Sequence, residues 1–281
     1  MAELDLAGVT IALTAERRSE EFATLLERRG AETVRTPVIH VLPLVDDADL
    51  RVQTQALIAD PPELVVISTG IGFRGWLQAV ESWNLTEQFL GALGRTRIVA
   101  RGPKAMGAIR GAGLREDWSP SGESSEEVLA HLASEGVDGV RVAVQLHGII
   151  TEWEPLTDLS ASLTDIGAVV TAVSVYRWIR PPDQSQVRAL VSAVRSGSID
   201  ALTFTSAPAV SSMLSTAKEM GELERFVAAM RTSVPTYCVG PVTAAPLELL
   251  GVPTIQPERS RLGALAKLII EDLPRRRALR A

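Results

Sequence analysis

Four short patterns in this chain return after an almost constant interval, and that repetition constrains the fold more than any single motif. LVVISTG ends at Gly70 and ALTFTSA ends at Ala207, 137 residues later. Gly30 in RRGAETVRTPVI and Gly167 in DIGAVVTAVSVY stand 137 apart, as do Pro120 in SPSGESSEEVLAHL and Pro257 in QPERSRLGALAKLI. Gly102-Pro103 and Gly240-Pro241 are 138 apart. Each pattern alone is weak, but their common order and offset mark an internal repeat. Two copies in 281 residues make a duplicated domain and not a solenoid.

Both copies share one grammar. A short apolar run ends in small polar residues, and a segment of helical period follows. Val9–Leu13, Leu64–Ile67, Arg97–Ala100, Val140–Leu146, Ala201–Phe204 and Thr236–Val239 read as buried parallel strands. Helices are expected over 20–29, 73–82, 104–111, 125–134, 156–166, 209–218, 242–250 and 262–272. Ser124 and Ser125, with Glu127 behind them, suit an N-cap and an acidic first turn. The expected class is α/β, with two similar open parallel-sheet domains. Residues 36–44 (Thr36–Leu44) and 173–181 break this alternation: they are β-rich, bounded by Pro43 and by Pro181-Pro182, and occupy matching positions in the copies. Proline-bounded strands of that kind suit paired connectors between domains.

Composition narrows the function. The three histidines, His40, His131 and His147, have no acidic or cysteine partner at ligand spacing, so no metal is expected. Cys238, the single cysteine, lies in an apolar run and reads as core. A net charge of −6 speaks against a general nucleic-acid surface. No apolar run approaches the length of a membrane span, and the first residues lack the order of a signal peptide, so a cytoplasmic location is expected. G-x-G-x-x-G after the first strand, a Walker motif and a G-x-S-x-G elbow are all missing.

Ligands of parallel α/β sheets bind beyond the carboxyl ends of the strands. The residues placed there are Thr14, Glu16, Arg17 and Arg18; Ser68, Thr69 and Gly70; Arg101, Gly102, Pro103 and Lys104; His147 and Gly148; Thr205, Ser206 and Ala207; and Gly240, Pro241, Val242 and Thr243, with Ser260 and Arg261. The set is rich in hydroxyls, glycines and cations and poor in carboxylates, which suits an anionic small molecule. The hydroxyls read equally as helix caps, Gly102 and Gly240 as tight turns, and Arg17 and Arg18 as a solvated face. Trp76 and Trp178 read as packing residues, and Tyr176 as either packing or a hydroxyl turned toward a cleft.

With those residues in view, the chain resembles the uroporphyrinogen-III synthase family over essentially its full length. Leu13-Thr14-Ala15-Glu16-Arg17 matches that family's motif after the first strand, Thr205-Ser206-Ala207-Pro208-Ala209-Val210 its T-S-x-x-x-V, and Val239-Gly240-Pro241-Val242-Thr243-Ala244 its V-G-x-x-T-A. Tyr176 fits the family's tyrosine at the end of the connector. The resemblance implies two domains joined by a two-stranded antiparallel connector, with residues 1–38 and 177–281 in one and 42–173 in the other. It implies that each copy lends its first strand to the opposite domain. It further implies cofactor-free cyclisation of hydroxymethylbilane, a linear tetrapyrrole with eight carboxylates, with inversion of the last pyrrole through a spiro-pyrrolenine. Tyr176 would be the acid. Of the residues at the strand ends, Thr14, Arg17, Ser68, Thr69, Gly70, Arg101, Gly102, Lys104, His147, Gly148, Thr205, Ser206, Gly240, Val242 and Thr243 are expected to bind that substrate, and the thin connectors, with room for ligand closure, make a monomer the expected state.

The first copy departs from the family pattern. It has Ser68-Thr69-Gly70-Ile71-Gly72-Phe73 where T-S-x-x-x-V is usual, and Ala100-Arg101-Gly102-Pro103-Lys104 where V-G-x-x-T is usual. The basic DLPRRRALRA reads as a helix-breaking tail or linker. These departures keep a second reading open: a catalytically silent, synthase-like sensor of an anionic effector, followed beyond Ala281 by a DNA-binding domain in a transcriptional regulator.

Overall fold

The computed structural model describes residues 6–122, 124–146, 153 and 158–279. The chain runs β1 (Thr10–Leu13), α1 (Ser19–Glu27), β2 (Glu32–Arg35), β3 (His40–Pro43), α2 (Ala48–Ala59), β4 (Leu64–Ile67), α3 (Gly70–Ser82), α4 (Thr86–Leu93), β5 (Arg97–Ala100), α5 (Pro103–Gly111) and α6 (Ser125–Glu135). It continues through β6 (Arg141–Leu146), α7 (Leu159–Asp165), β7 (Val169–Ser174), β8 (Tyr176–Ile179), α8 (Ser185–Ser196), β9 (Ala201–Phe204), α9 (Ala207–Glu219), α10 (Leu223–Thr232), β10 (Thr236–Cys238), α11 (Pro241–Glu248), β11 (Thr254–Ile255) and α12 (Leu262–Ala278). The protein is α/β, with two parallel sheets and a small antiparallel one.

Two compact units divide the chain. One holds the chain up to His40, Trp153, and everything from Ile179 onward; the other holds the rest of Val41–Trp178. The first is built on a five-stranded sheet of order β11-β10-β9-β1-β2, the second on a four-stranded sheet of order β5-β4-β6-β7. All pairings within these two sheets are parallel. The short strands β3 and β8 pair with each other.

The duplication is written into these orders. β4 and β9 are matching strands of the two copies, and each pairs on one side with a strand of its own copy, β5 or β10. On its other side each pairs with the leading strand of the other copy: Leu64 with Val142 of β6, and Ala201 with Ile11 of β1. The fifth strand of the first sheet, β11, has its counterpart in a single parallel bridge from Val99 to Trp118. Gly30 and Gly167, 137 apart in sequence, both take φ 92° in the turn before an edge strand. A side chain is strained at such a φ, and at Gly167 a Cβ would also lie 2.2 Å from Asp138 Oδ1.

The exchanged piece is larger than a first strand. β2 pairs with β1 along its whole length, Thr10 with Glu32 through Leu13 with Arg35, so β1-α1-β2 moves as one unit. Likewise β7 stays in register with β6 as far as Leu146 and Ser174. The expected connectors over 36–44 and 173–181 are therefore shortened at their leading ends. Thr36 still donates its N–H to the Leu13 carbonyl, Ser174 still belongs to a sheet, and the paired strands are only His40–Pro43 and Tyr176–Ile179. Edge strand β2 has no fully buried residue and carries Glu32 and Arg35. A polar edge of that kind lacks the apolar run that announces β4 and β9.

Buried strands set the cores. Leu64 and Val66 face one cluster, with Val99, Val128, Leu132 and Val144. Val65 and Ile67 face the other, with Phe73, Trp76, Phe89 and Ile109. Alternation on one strand thus fills both faces of the sheet. In the first unit Ile11 and Leu13 meet Phe22, Leu26, Tyr237, Leu265 and Ile269. Trp76 is fully buried and donates Nε1–H to Thr54 Oγ1 at 2.9 Å, so it packs and does not line a surface.

Helix ends follow local chemistry. Ser124 accepts the Glu127 N–H at 3.1 Å while the Glu127 carboxylate accepts the Ser124 N–H, a complete capping box at α6. Asp158 caps α7 by accepting from Ser160 and Ala161, which fixes the start of that helix at Leu159; the expected start at residue 156 lies outside the described residues. The expected break near the C-terminus does not occur. Helix α12 continues through Pro274 to Ala278, held on both sides of the proline by buried Leu273 and by Arg276 bonded to Asp272 one turn earlier. Burial and this (i, i+4) pair outweigh the single lost backbone bond.

Candidate functional site

In the four-stranded unit the carboxyl ends of β4, β5, β6 and β7 deliver, side by side, Ser68-Thr69, Arg101-Gly102, Gln145-Leu146 and the approach to Tyr176. Thr69 is extended, at φ −143°, and caps α3 by accepting the Gly72 N–H at 3.1 Å. Gln145 lies beside it, fully buried near the end of β6. Its Oε1 accepts the Thr69 N–H at 3.4 Å, and its Nε2 donates to Thr69 Oγ1 at 3.3 Å and to the Leu146 carbonyl at 2.9 Å. Since an N–H only donates and a carbonyl only accepts, these partners fix which end of the amide is which.

The Thr69 hydroxyl then donates to the Tyr176 oxygen at 3.4 Å. Tyr176 is nearly buried, at 3% exposure, and its ring meets Trp178 edge-on at 5.5 Å. Below this pair the Ser68 hydroxyl donates to the Gln145 carbonyl at 2.6 Å, tying β4 to β6 where both strands end.

Two glycines let these parts approach. A Cβ on Gly70 would lie 2.0 Å from the Lys104 carbonyl oxygen, so the first turns of α3 and α5 touch backbone to backbone. A Cβ on Gly72 would lie 2.1 Å from Gln145 Nε2. Arg101, half-buried, extends the sheet by donating its backbone N–H to Ile67 at 3.0 Å; Gly102 is buried and Lys104 exposed in the first turn of α5. The arrangement therefore sets a phenol–hydroxyl pair at the N-terminus of α3, whose first turn touches that of α5, with Arg101 and Lys104 following the adjacent strand β5. A phenol is a weak acid. It suits a leaving group that departs readily and needs one proton at the right place.

The matching positions of the five-stranded unit are built differently. Thr14 is fully buried and donates to the Thr203 carbonyl at 2.8 Å, while Thr203 returns a bond to the Ala12 carbonyl at 2.9 Å. Thr14 thus ties β1 to β9 and does not stand at the rim. Ser206 occupies the N-cap of α9 without a side-chain cap bond, Thr205 is half-buried and Thr243 buried. Gly240 precedes Pro241, the first residue of α11, and a Cβ there would lie 2.3 Å from Ser260 Oγ. Val242 and Arg17 are exposed. Arg18 takes φ 55° and donates to Glu21. His147 and Gly148 lie outside the described residues.

Among the described residues no group of three His, Cys, Asp or Glu is placed to hold a metal ion, and no helix is long and apolar enough to cross a membrane. Cys238 is buried, and loss of hydration pushes its thiol up to about 12. Reading only the residues after each strand misses Gln145, which lies inside β6. Its signal is a lone amide in the run VAVQL, where every neighbour is apolar.

A family model described as uroporphyrinogen-III synthase HemD matches residues 20–267. The chain belongs to the uroporphyrinogen-III synthase family. A putative uroporphyrinogen-III synthase from Methanothermobacter thermautotrophicus is 26% identical over 262 residues, 91% of this chain and 96% of that one. An uncharacterized Bacillus subtilis protein, YjjA, is 28% identical over 92% of this chain and 94% of its own. The crystal structure of a mutant uroporphyrinogen III synthase from the extreme thermophile Thermus thermophilus superposes with a TM-score of 0.77 at 29% identity, covering 97% of this chain and 99% of that one. The uroporphyrinogen-III synthase fold therefore extends over both units, with Tyr176 and Thr69 inside the matched span.

Proposed function

We propose that this protein is a uroporphyrinogen-III synthase, closing hydroxymethylbilane with inversion of its last pyrrole and without a cofactor. The observation that carries the reading is the Tyr176 phenol, held by the Thr69 hydroxyl at the carboxyl end of a parallel sheet in a chain of this family. Tyr176 gives its proton to the hydroxymethyl oxygen, the C–O bond breaks and water leaves. The azafulvenium cation left behind is attacked by the substituted carbon of the last pyrrole, giving the protonated spiro-pyrrolenine. That intermediate fragments and recloses at the other carbon. The proton released when the closing ring regains aromaticity balances the one the phenol supplied.

The substrate's carboxylates call for cations and free N–H groups, which Arg101, Lys104 and the first turns of α3 and α5 supply. Holding the chain ends near one another matters as much as acid help, because hydroxymethylbilane also closes by itself, without inversion. A coupled assay fed with hydroxymethylbilane tests the proposal. Uroporphyrinogen III in excess over isomer I is the expected product. Isomer I alone, at the uncatalysed rate, overturns the reading and leaves a ligand sensor in its place.

A further inference from the structure

We infer that Gln145 is a positioning residue: its buried amide turns the Thr69 hydroxyl so that Thr69 can only donate to the Tyr176 oxygen. The inference deepens the reading of Tyr176 as the acid and rests on it for its catalytic meaning. Its structural content stands without that reading.

A threonine hydroxyl accepts two hydrogen bonds and donates one. Two donors already point at Thr69 Oγ1, the Gly72 N–H at 3.1 Å and the Gln145 amide at 3.3 Å. The oxygen has no place for a third, so its own proton goes to the neighbour at 3.4 Å, Tyr176. Remove Gln145 and one acceptor site opens. The hydroxyl is then free to rotate and accept from the phenol. The distance is long for two hydroxyls, as bonds at unliganded sites often are before the reacting complex forms.

The direction of that bond decides its effect. A donor on the phenol oxygen stabilises the phenolate that remains after proton transfer; an acceptor stabilises the neutral phenol. Gln145 therefore makes Tyr176 the stronger acid. The amide is held firmly in this orientation. It is fully buried, its Nε2 also donates to Leu146, and Gly72 leaves room for it where any Cβ would collide. The described residues of the other unit are arranged differently. Strand β1 leads into Thr14 at the matching position, and that hydroxyl serves the strand pairing.

The chain's two tyrosines make the test direct. Incorporation of 3-fluorotyrosine gives one ¹⁹F resonance for each, assigned with Tyr237→Phe, and titration reads Tyr176 whether or not the protein turns anything over. Gln145→Leu is expected to raise the Tyr176 midpoint by about one pH unit, and to shift the alkaline limb of kcat upward with it. In the Thr69→Val background the same substitution is expected to shift the midpoint by less than about 0.2 unit, since the hydroxyl it acts through is gone. Equal shifts in both backgrounds, or none in either, overturn the inference and reduce Gln145 to packing. Gln145→Met, which keeps the length of the side chain, carries the same comparison if the leucine variant does not fold. Absence of uroporphyrinogen III from the wild-type assay sinks the proposed reaction but leaves this titration standing.

Discussion

The Tyr237 hydroxyl, at the end of a side chain buried in the five-stranded unit, donates to Asp272 Oδ2 at 2.8 Å. Asp272 belongs to α12 and also accepts from Arg276, one turn on. The three residues pin the last helix to β10 at a polar point in an otherwise apolar contact with Leu265, Ile269 and Leu273. Asp272→Leu leaves the phenol buried without its acceptor, and is expected to cost about 1–3 kcal/mol. Tyr237→Phe removes the donor but leaves Asp272 its arginine, and should cost about 1 kcal/mol. Urea unfolding of the two variants checks the order; an Asp272 variant no weaker than the tyrosine variant would refute it.

The same corner makes the fold sensitive to base. Burial, and after it the hydrogen bond and charge of Asp272, hold the Tyr237 phenol far above its ordinary value. Burial, with a smaller contribution from Glu248, moves the neighbouring Cys238 thiol from 9.0 to about 12. Both groups are raised acids, so the folded state keeps protons that the unfolded chain releases. Their stabilising effect is complete below the ordinary values and is lost as pH rises through the folded ones. Stability should therefore fall between about pH 9 and pH 12, by up to about 1.4 kcal/mol per pH unit for each group. Urea midpoints measured across that range should flatten in Cys238→Ala and flatten further with Tyr237→Phe added. An unchanged slope in the double variant rejects the assignment.

Three glycines separate close approach from mere flexibility. Gly70→Ala drives a methyl against the Lys104 backbone, and Gly72→Ala drives one against the Gln145 amide. Each is expected to cost about 1–3 kcal/mol, and the second to lower turnover as well by displacing Gln145. Gly107 lies in the exposed interior of α5 with nothing within 4 Å of a Cβ. Gly107→Ala should instead gain about 0.5–1 kcal/mol through helix propensity alone. Thermal melts of the three variants give the comparison; a Gly107 variant that melts lower than wild type contradicts it.

What can be read from the sequence divides along burial. Strands such as Leu64–Ile67 and Ala201–Phe204 are four consecutive buried apolar or β-branched residues, and their expected limits match the observed ones. β2, with its exposed glutamate and arginine, and β11, only two residues long, carry no such run. Helices α2, α4, α8 and α10 fall outside the stretches expected to be helical. Two of them carry a readable apolar stripe, Val187, Leu190, Val191 and Val194 in α8 and Phe226, Val227 and Met230 in α10, whereas α2 buries only Leu50, Thr54 and Leu57 among polar neighbours and α4 is only eight residues long. The rim hydroxyls show the limit most clearly. Thr14 and Thr69 both follow a strand and look alike in sequence, yet one is spent inside the sheet and the other faces Tyr176. What separates them is the neighbouring strand, which no local pattern reveals.

Tyr176→Phe is the substitution that bears most directly on chemistry. The substitution removes one hydroxyl, which contacts Thr69 at 3.4 Å, and keeps the ring, so stability should fall by no more than about 1.5 kcal/mol. The ring, its packing edge-on to Trp178 and the cations at the rim all remain. Binding should accordingly persist, with KM within about twofold of wild type, while kcat falls about 10²-fold or more for want of the proton donor. Product composition adds a second readout. Substrate that is held but not assisted eventually dissociates and closes in solution, so the share of uroporphyrinogen I should rise as enzyme turnover falls. If kcat changes by less than about twofold and isomer III remains the product, the proton comes from elsewhere and Tyr176 is a packing residue of the connector strand.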